Sequence, residues 1–172
     1  KAPLTLISFN PLVSIAGIAA KPGMPLLLTI SCIFAFAFNG INSVFAKYVG
    51  DKFTVSPTEI AVVFVVGGLV TALVQGTLVQ RMVTHFGEKT MTIASLIGLG
   101  AGVVIAAIVP LFWMLYPTSL LRNGLGGFFW ATMGAMTANR VEPREQGQLA
   151  GVSSALQNLM AVFGPLAAGA AY

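Results

Sequence analysis

Five apolar runs, each about 20 residues or longer, fill the chain from Pro25 to Tyr172, and about 20 such residues cross a bilayer as a helix. They lie at about 25–48, 57–80, 90–109, 118–139 and 143–172. Backbone groups in lipid must be satisfied inside the segment, which leaves helices for runs of this kind. The fold class is therefore all-α, a polytopic membrane helix bundle with about five transmembrane helices. Composition agrees: 56% of residues are hydrophobic and 8% charged, against about 25% charged in soluble domains. Lipid solvates such a surface better than water does.

The same composition removes several function classes. The net charge of +4 comes from scattered basic residues that form no run, so it speaks for membrane flanks and not for nucleic acid. Cys32 and His85 are the only residues of their types, which excludes an intrachain disulfide and a cysteine-based zinc site. There is no phosphate-binding glycine loop with lysine and no nucleophile beside a histidine. The chain reads as no enzyme, with no metal and no cofactor.

Residues 1–24 are apolar but broken by Pro3, Asn10, Pro11 and Gly17. They read as an interfacial linker lying along the membrane, ahead of a bundle at 25–172. Ser56-Pro57-Thr58-Glu59 is a capping box with proline at the first helical position, which opens the second run. Pro110 and Pro117 bracket a turn with Trp113 and Tyr116, residue types that anchor at the interface. The end at Tyr172, directly after an apolar stretch, reads as a cut at or near the end of a span.

Polar residues inside the runs are candidates for a substrate path. Asn39, Asn42 and Ser43 share one helix face, Gln75 lies late in the second run, Asn123 in the fourth, and Gln157 and Asn158 in the fifth. Thr132, Thr137, Ser153 and Ser154 join them at lower weight. Polar groups at membrane depth face a bundle interior or a water-filled cavity; the competing role is hydrogen bonding between helices. Arg122 is the charge candidate, about one turn inside the fourth run, either snorkelling to the headgroups or serving a substrate or counter-ion. Glycines at 98, 100, 102, 124, 126, 127, 134, 164 and 169 supply close helix packing. Pro165 removes a helix hydrogen bond, so a bend is expected at Gly164-Pro165, with Gly164 against a neighbour.

Val141-Glu142, Gln146-Gly147-x-Leu149-x-Gly151, Ala155-Leu156, Leu159 and Gly164-Pro165 together resemble the loop between helices ten and eleven, and helix eleven, of the major facilitator superfamily. Phe9-Asn10-Pro11-Leu12, Gly50-Asp51-Lys52-Phe53 and Gly87-Glu88-Lys89 are similar to its tetracycline/proton antiporter branch at matching places. The resemblance covers nearly the whole chain and implies the C-terminal half, helices seven to eleven, of a twelve-helix transporter. It places amides at Asn39 and Gln75, where the resembling antiporters also carry them. It implies a gating loop at Gln80 to Lys89, with Arg81, Gly87 and Lys89 as its residues; the alternative is an ordinary basic loop. The resembling antiporters carry an acidic residue in helix nine where this chain has Leu99, which counts against tetracycline as substrate and against proton coupling through this half.

The function implied is a secondary transporter, a proton-coupled efflux or exchange protein of the drug-resistance type for a drug-like or small-metabolite substrate. The partners implied are the lipid bilayer and an N-terminal half or another membrane subunit. The alternative is a transporter-derived structural or assembly subunit of a larger membrane complex. Lys1, Lys21, Arg81, Lys89, Arg140 and Arg144 lie on one side, and Lys47, Lys52 and Arg122 on the other. Basic residues concentrate on the cytoplasmic side, which puts the loops at 81–89 and 140–146 there.

Overall fold

The structure is a computed structural model and describes residues 11–172; Lys1 and Phe9-Asn10 lie outside the described residues. Every regular element among them is helical. The order is α1 (Pro11–Ala19), α2 (Met24–Phe53), α3 (Pro57–Leu73), a π-turn (Val74–Leu78), α4 (Val79–Phe86), α5 (Glu88–Ile108), α6 (Leu115–Ala138) and α7 (Gln146–Ala171). Short 3₁₀ turns precede α6 and α7.

Four segments are long and apolar enough to cross a membrane: Met24–Phe53, Pro57–Phe86, Glu88–Ile108 and Pro143–Ala171. Leu26, Val65, Leu73, Ile97, Ile108 and Leu166 are each at least 60% exposed on them. Side chains of this kind are at home in acyl chains. Helix α6 has the length, at 24 residues, but Arg122, Asn123 and its glycines dilute its hydropathy. Burial explains why it tolerates them: Ser119, Arg122, Phe128, Phe129, Thr132 and Met133 are all buried. Little of α6 is left to meet lipid.

Local chemistry sets the helix ends. Ser56 caps α3, its hydroxyl accepting from the Glu59 N–H while the Glu59 carboxylate accepts from the Ser56 N–H at 2.8 Å. Val109 is extended, at φ −58° and ψ 136°, as a residue before proline prefers, and α5 stops there. Within the stretch expected as an interfacial linker, Pro11–Ala19 is a helix, and a π-turn interrupts the second span. One expectation is corrected: residues 81–89 are hardly a loop, because α4 runs on to Phe86 and α5 begins at Glu88. Gly87 alone makes the break, at φ +80°, a conformation that L side chains rarely adopt.

The described residues divide into two compact units, one made of residues 11–44 with Met136–Tyr172, the other Phe45–Ala135. In the first, Ile18, Met24, Leu28, Leu149 and Val152 form the core that joins α1 and the start of α2 to α7. Lys21 closes this end with an ion pair to Glu145, whose carboxylate also accepts from the Glu142 N–H at 2.9 Å. In the second unit Phe45, Val49, Val63, Ala106, Val109 and Leu115 form the core. Ala107, in the last turn of α5, offers its carbonyl to Lys52 Nζ at 2.6 Å and Tyr48 Oη at 2.8 Å. A cation there also opposes the negative end of the helix dipole.

Candidate functional site

In the second unit, α3 and the π-turn meet α6 along a polar seam that advances four residues at a time. Gly67, Thr71 and Gln75 face Asn123 and Gly127. A Cβ on Gly67 would lie 2.6 Å from Asn123 Nδ2, and one on Gly127 would lie 3.5 Å from Thr71 Cγ2. The Thr71 hydroxyl reaches the Gly67 carbonyl at 3.0 Å and that of Asn123 at 3.3 Å. Asn123 donates to the Ser119 carbonyl at 3.2 Å, and Gln75 to the Gly127 carbonyl at 3.4 Å. Gln75 thus sits within the π-turn, and π-turns recur where a helix departs from regularity for function.

The opposite side of α6 meets α5. The buried Thr92 hydroxyl donates to that of Thr132 at 2.8 Å, so Thr132 joins two helices. A Cβ on Gly126 would lie 3.2 Å from Leu99 Cδ1. Leu99 therefore fills the α5–α6 seam.

In the first unit, the three α2 candidates spend their donors on their own helix. Asn39 bonds the Ala35 carbonyl and Asn42 the Phe38 carbonyl, each at 2.7 Å. Ser43 bonds that of Gly40 at 2.7 Å. None donates to another helix. Gln157 lies with Ser31, Cys32 and Ser153 at a small pocket between α2 and α7; Asn158 is exposed. Gly164 is buried against α2: a Cβ there would lie 2.5 Å from the Phe36 carbonyl oxygen and 2.9 Å from the Gly40 nitrogen. Helix α7 continues through Pro165 to Ala171, so Gly164-Pro165 does not end it.

Arg122 packs against Phe45, with its guanidinium nitrogens still touching the surface. The residue is 6% exposed, and the guanidinium carbon lies over the Phe45 ring, 4.4 Å from its centroid. Sequence reasoning missed Phe45, Thr71 and the π-turn. Only Thr71 had a signal, its four-residue spacing from Gly67 and Gln75. Of the gating-loop candidates, Arg81 lies on α4 and Lys89 in the first turn of α5. Arg81 shares an open groove of about 650 Å³ with Gly76, Thr77, Gln80 and Thr84. No cluster able to hold a metal ion occurs among the described residues.

The family model for the Major Facilitator Superfamily matches residues 27–172. The chain belongs to this superfamily. It is a multi-pass integral membrane protein of a family of transporters, not of enzymes. It is 29% identical over 172 residues to the class C tetracycline resistance protein of Escherichia coli, covering all of this chain and 43% of that protein. It is 32% identical over 116 residues to the class E protein of the same organism, which covers 67% of this chain and 28% of the relative. Multidrug resistance protein 2 of Bacillus subtilis is 26% identical over 139 residues, 80% of this chain and 34% of the relative. The chain thus spans less than half the length of these relatives. No solved structure matches it.

Proposed function

We propose that this chain is the C-terminal half of a major-facilitator secondary transporter, with α2 as helix seven, α3 and α4 as helix eight, and α5, α6 and α7 as nine, ten and eleven. It works by alternating access against a second half, exporting or exchanging a drug-like or small-metabolite molecule in a proton-coupled cycle. The observation that carries this reading is the groove of Gly76, Thr77, Gln80, Arg81 and Thr84. It is a polar face on a helix otherwise built for lipid, and polar groups on such a helix belong against water or protein. Gln75 and Asn123 continue polar character along the α3–α6 seam. The names of the relatives point to tetracyclines or other antibacterial drugs as first compounds to try; Leu99, in place of an acid, ranks tetracycline below the rest. Asp51, Glu59, Glu88, Glu142 and Glu145 all lie at or near helix ends, which supports a proton-carrying group in the other half.

The test uses the full-length protein in inside-out vesicles with an acridine dye reporting the proton gradient. A drug that is exchanged for protons should restore the dye fluorescence. No restoration with any of a tetracycline, a quinolone and a lipophilic cation, together with no gradient-driven uptake, would favour the structural or assembly subunit.

The charge bias gives a second prediction. Cysteines replacing Lys89 and Arg144 should resist a membrane-impermeant maleimide in intact cells and react after lysis. Ready labelling from outside at both sites would invert the orientation.

A further inference from the structure

We infer that the π-turn at Val74–Leu78 is a register switch, which lets α4 turn about its own axis between two packed states. Along α3 the buried and half-buried positions include Val63, Gly67, Val70 and Val74, in the steps of three and four that one face of an α-helix requires. The next half-buried position is Val79, followed by Met82 and Val83. The step from Val74 to Val79 is therefore five. The backbone agrees: the Val79 N–H donates to the Val74 carbonyl, five residues back, where an α-helix bonds four back. One residue is taken up in the wider turn.

That residue decides which side of α4 faces the bundle. An unbroken α-helix would continue the face of Gly67, Val70 and Val74 through Leu78, Arg81 and His85. All three are exposed instead, and Arg81 lines the groove with Gly76, Thr77, Gln80 and Thr84. Closing the π-turn to an α-turn rotates α4 by one residue, about 100°. Leu78, Arg81 and His85 then take the places of Val79 and Val83.

Both ends of α4 permit the rotation. Gly76 lies within the π-turn and Gly87, at φ +80°, beyond Phe86; a Cβ on either would meet nothing within 4 Å. Gly87 also separates α4 from α5, so α5 need not follow. Helix α3 stays on α6 through the Thr71 hydroxyl and the Asn123 carbonyl at 3.3 Å. The Thr77 hydroxyl donates to the Leu73 carbonyl at 2.6 Å, which keeps a carbonyl satisfied where the ladder changes step. Lipid accepts Val79 and Val83 as protein does, whereas Arg81 on the packed side calls for water or a counter-charge. The role of the switch rests on the transporter reading: it exchanges an apolar wall for a cationic one as access alternates.

Deletion of Gly76 shortens the step to four, keeps Val79, Met82 and Val83 on the packed face, and leaves no residue to switch with. In the full-length protein in lipid nanodiscs this variant should melt no lower than wild type. Deletion of Gly100 from the regular helix α5 throws the face out of phase and should lower the melting temperature. Nitroxide labels at Gln80→Cys and Ile97→Cys, with other cysteines replaced, read the rotation as a distance. The wild-type register should give two distances, differing by up to about 8 Å, the chord of a 100° turn on a helix about 11 Å across. The Gly76 deletion should retain one of them. Arg81→Leu, which removes the cost of an inward cation, should raise the share of the other. A single distance common to wild type, the Gly76 deletion and Arg81→Leu would overturn the switch. So would a Gly76 deletion as damaging as the Gly100 deletion. Two distances in a protein without gradient-driven exchange would keep the switch and retire the transporter reading.

Discussion

Replacing Gly164 by leucine is expected to prevent α7 from packing on α2, while Leu166→Ala leaves the packing intact. Even a single Cβ at position 164 would lie 2.5 Å from the Phe36 carbonyl oxygen and 2.9 Å from the Gly40 nitrogen. Both are backbone atoms, so no side-chain rotation relieves the clash, and the helices have to separate. Gly40 mirrors the arrangement, since a Cβ there would lie 3.0 Å from the Gly164 carbonyl oxygen. Two glycines therefore set the approach of these helices. In lipid that approach matters because dispersion between close backbones replaces the hydrophobic force available in water. Overpacking in a well-filled interior costs about 1–3 kcal/mol, and occasionally more; leucine against two backbone atoms belongs at or above the top of that range. Leu166 is 64% exposed, and a surface change of this kind stays within about 0.5 kcal/mol. Thermal unfolding of the full-length protein in nanodiscs reads the difference. A Gly164→Leu protein as stable as wild type would show that this seam is not closely packed.

The sequence made the helices legible to different degrees, and each difference has a physical cause. The start of α3 could be read because Ser56 and Glu59 complete a local hydrogen-bonding pattern, and the end of α5 because proline constrains Val109 directly. Gly164 could be read as a contact because glycine in an apolar helix implies close approach. The break at Gly87 was overestimated. Charged residues around it looked like a loop, yet Arg81 and Lys89 are good helix formers, and one glycine at positive φ turns the chain by itself. The π-turn had no signature, since Val74 to Leu78 would fit an α-helix equally well. Asn39, Asn42 and Ser43 do share a face, but which acceptors they use depends on rotamers that spacing does not encode. Arg122 shows the limit most clearly. Its depth could be counted along the helix, but the ring beneath it comes from Phe45, 77 positions earlier in the chain.

Gly102 and Gly100 should respond oppositely to substitution, although they are two residues apart on α5. Gly100 is exposed, and a Cβ there would meet nothing within 4 Å. Alanine at 100 costs no contact and removes the helix penalty of glycine, about 1 kcal/mol in aqueous hosts. At Gly102 a Cβ would lie 3.0 Å from Arg122 Cα and Cβ and 3.1 Å from its nitrogen. Those atoms belong to the body of α6. Gly98 offers the instructive comparison: a Cβ there would lie 1.9 Å from Leu125 Cδ1, a worse overlap on paper, but with the far end of a side chain that can rotate. Backbone decides the ranking, so Gly102→Val should be the most damaging of the three valine substitutions, its branched side chain having little freedom to turn away. Gly100→Val should be close to neutral. Because Gly102 packs on the backbone of Arg122, even the milder Gly102→Ala should lower stability, whereas Gly100→Ala should not. Melting curves in nanodiscs test the contrast; equal tolerance at 100 and 102 would mean that α5 does not fix the position of Arg122.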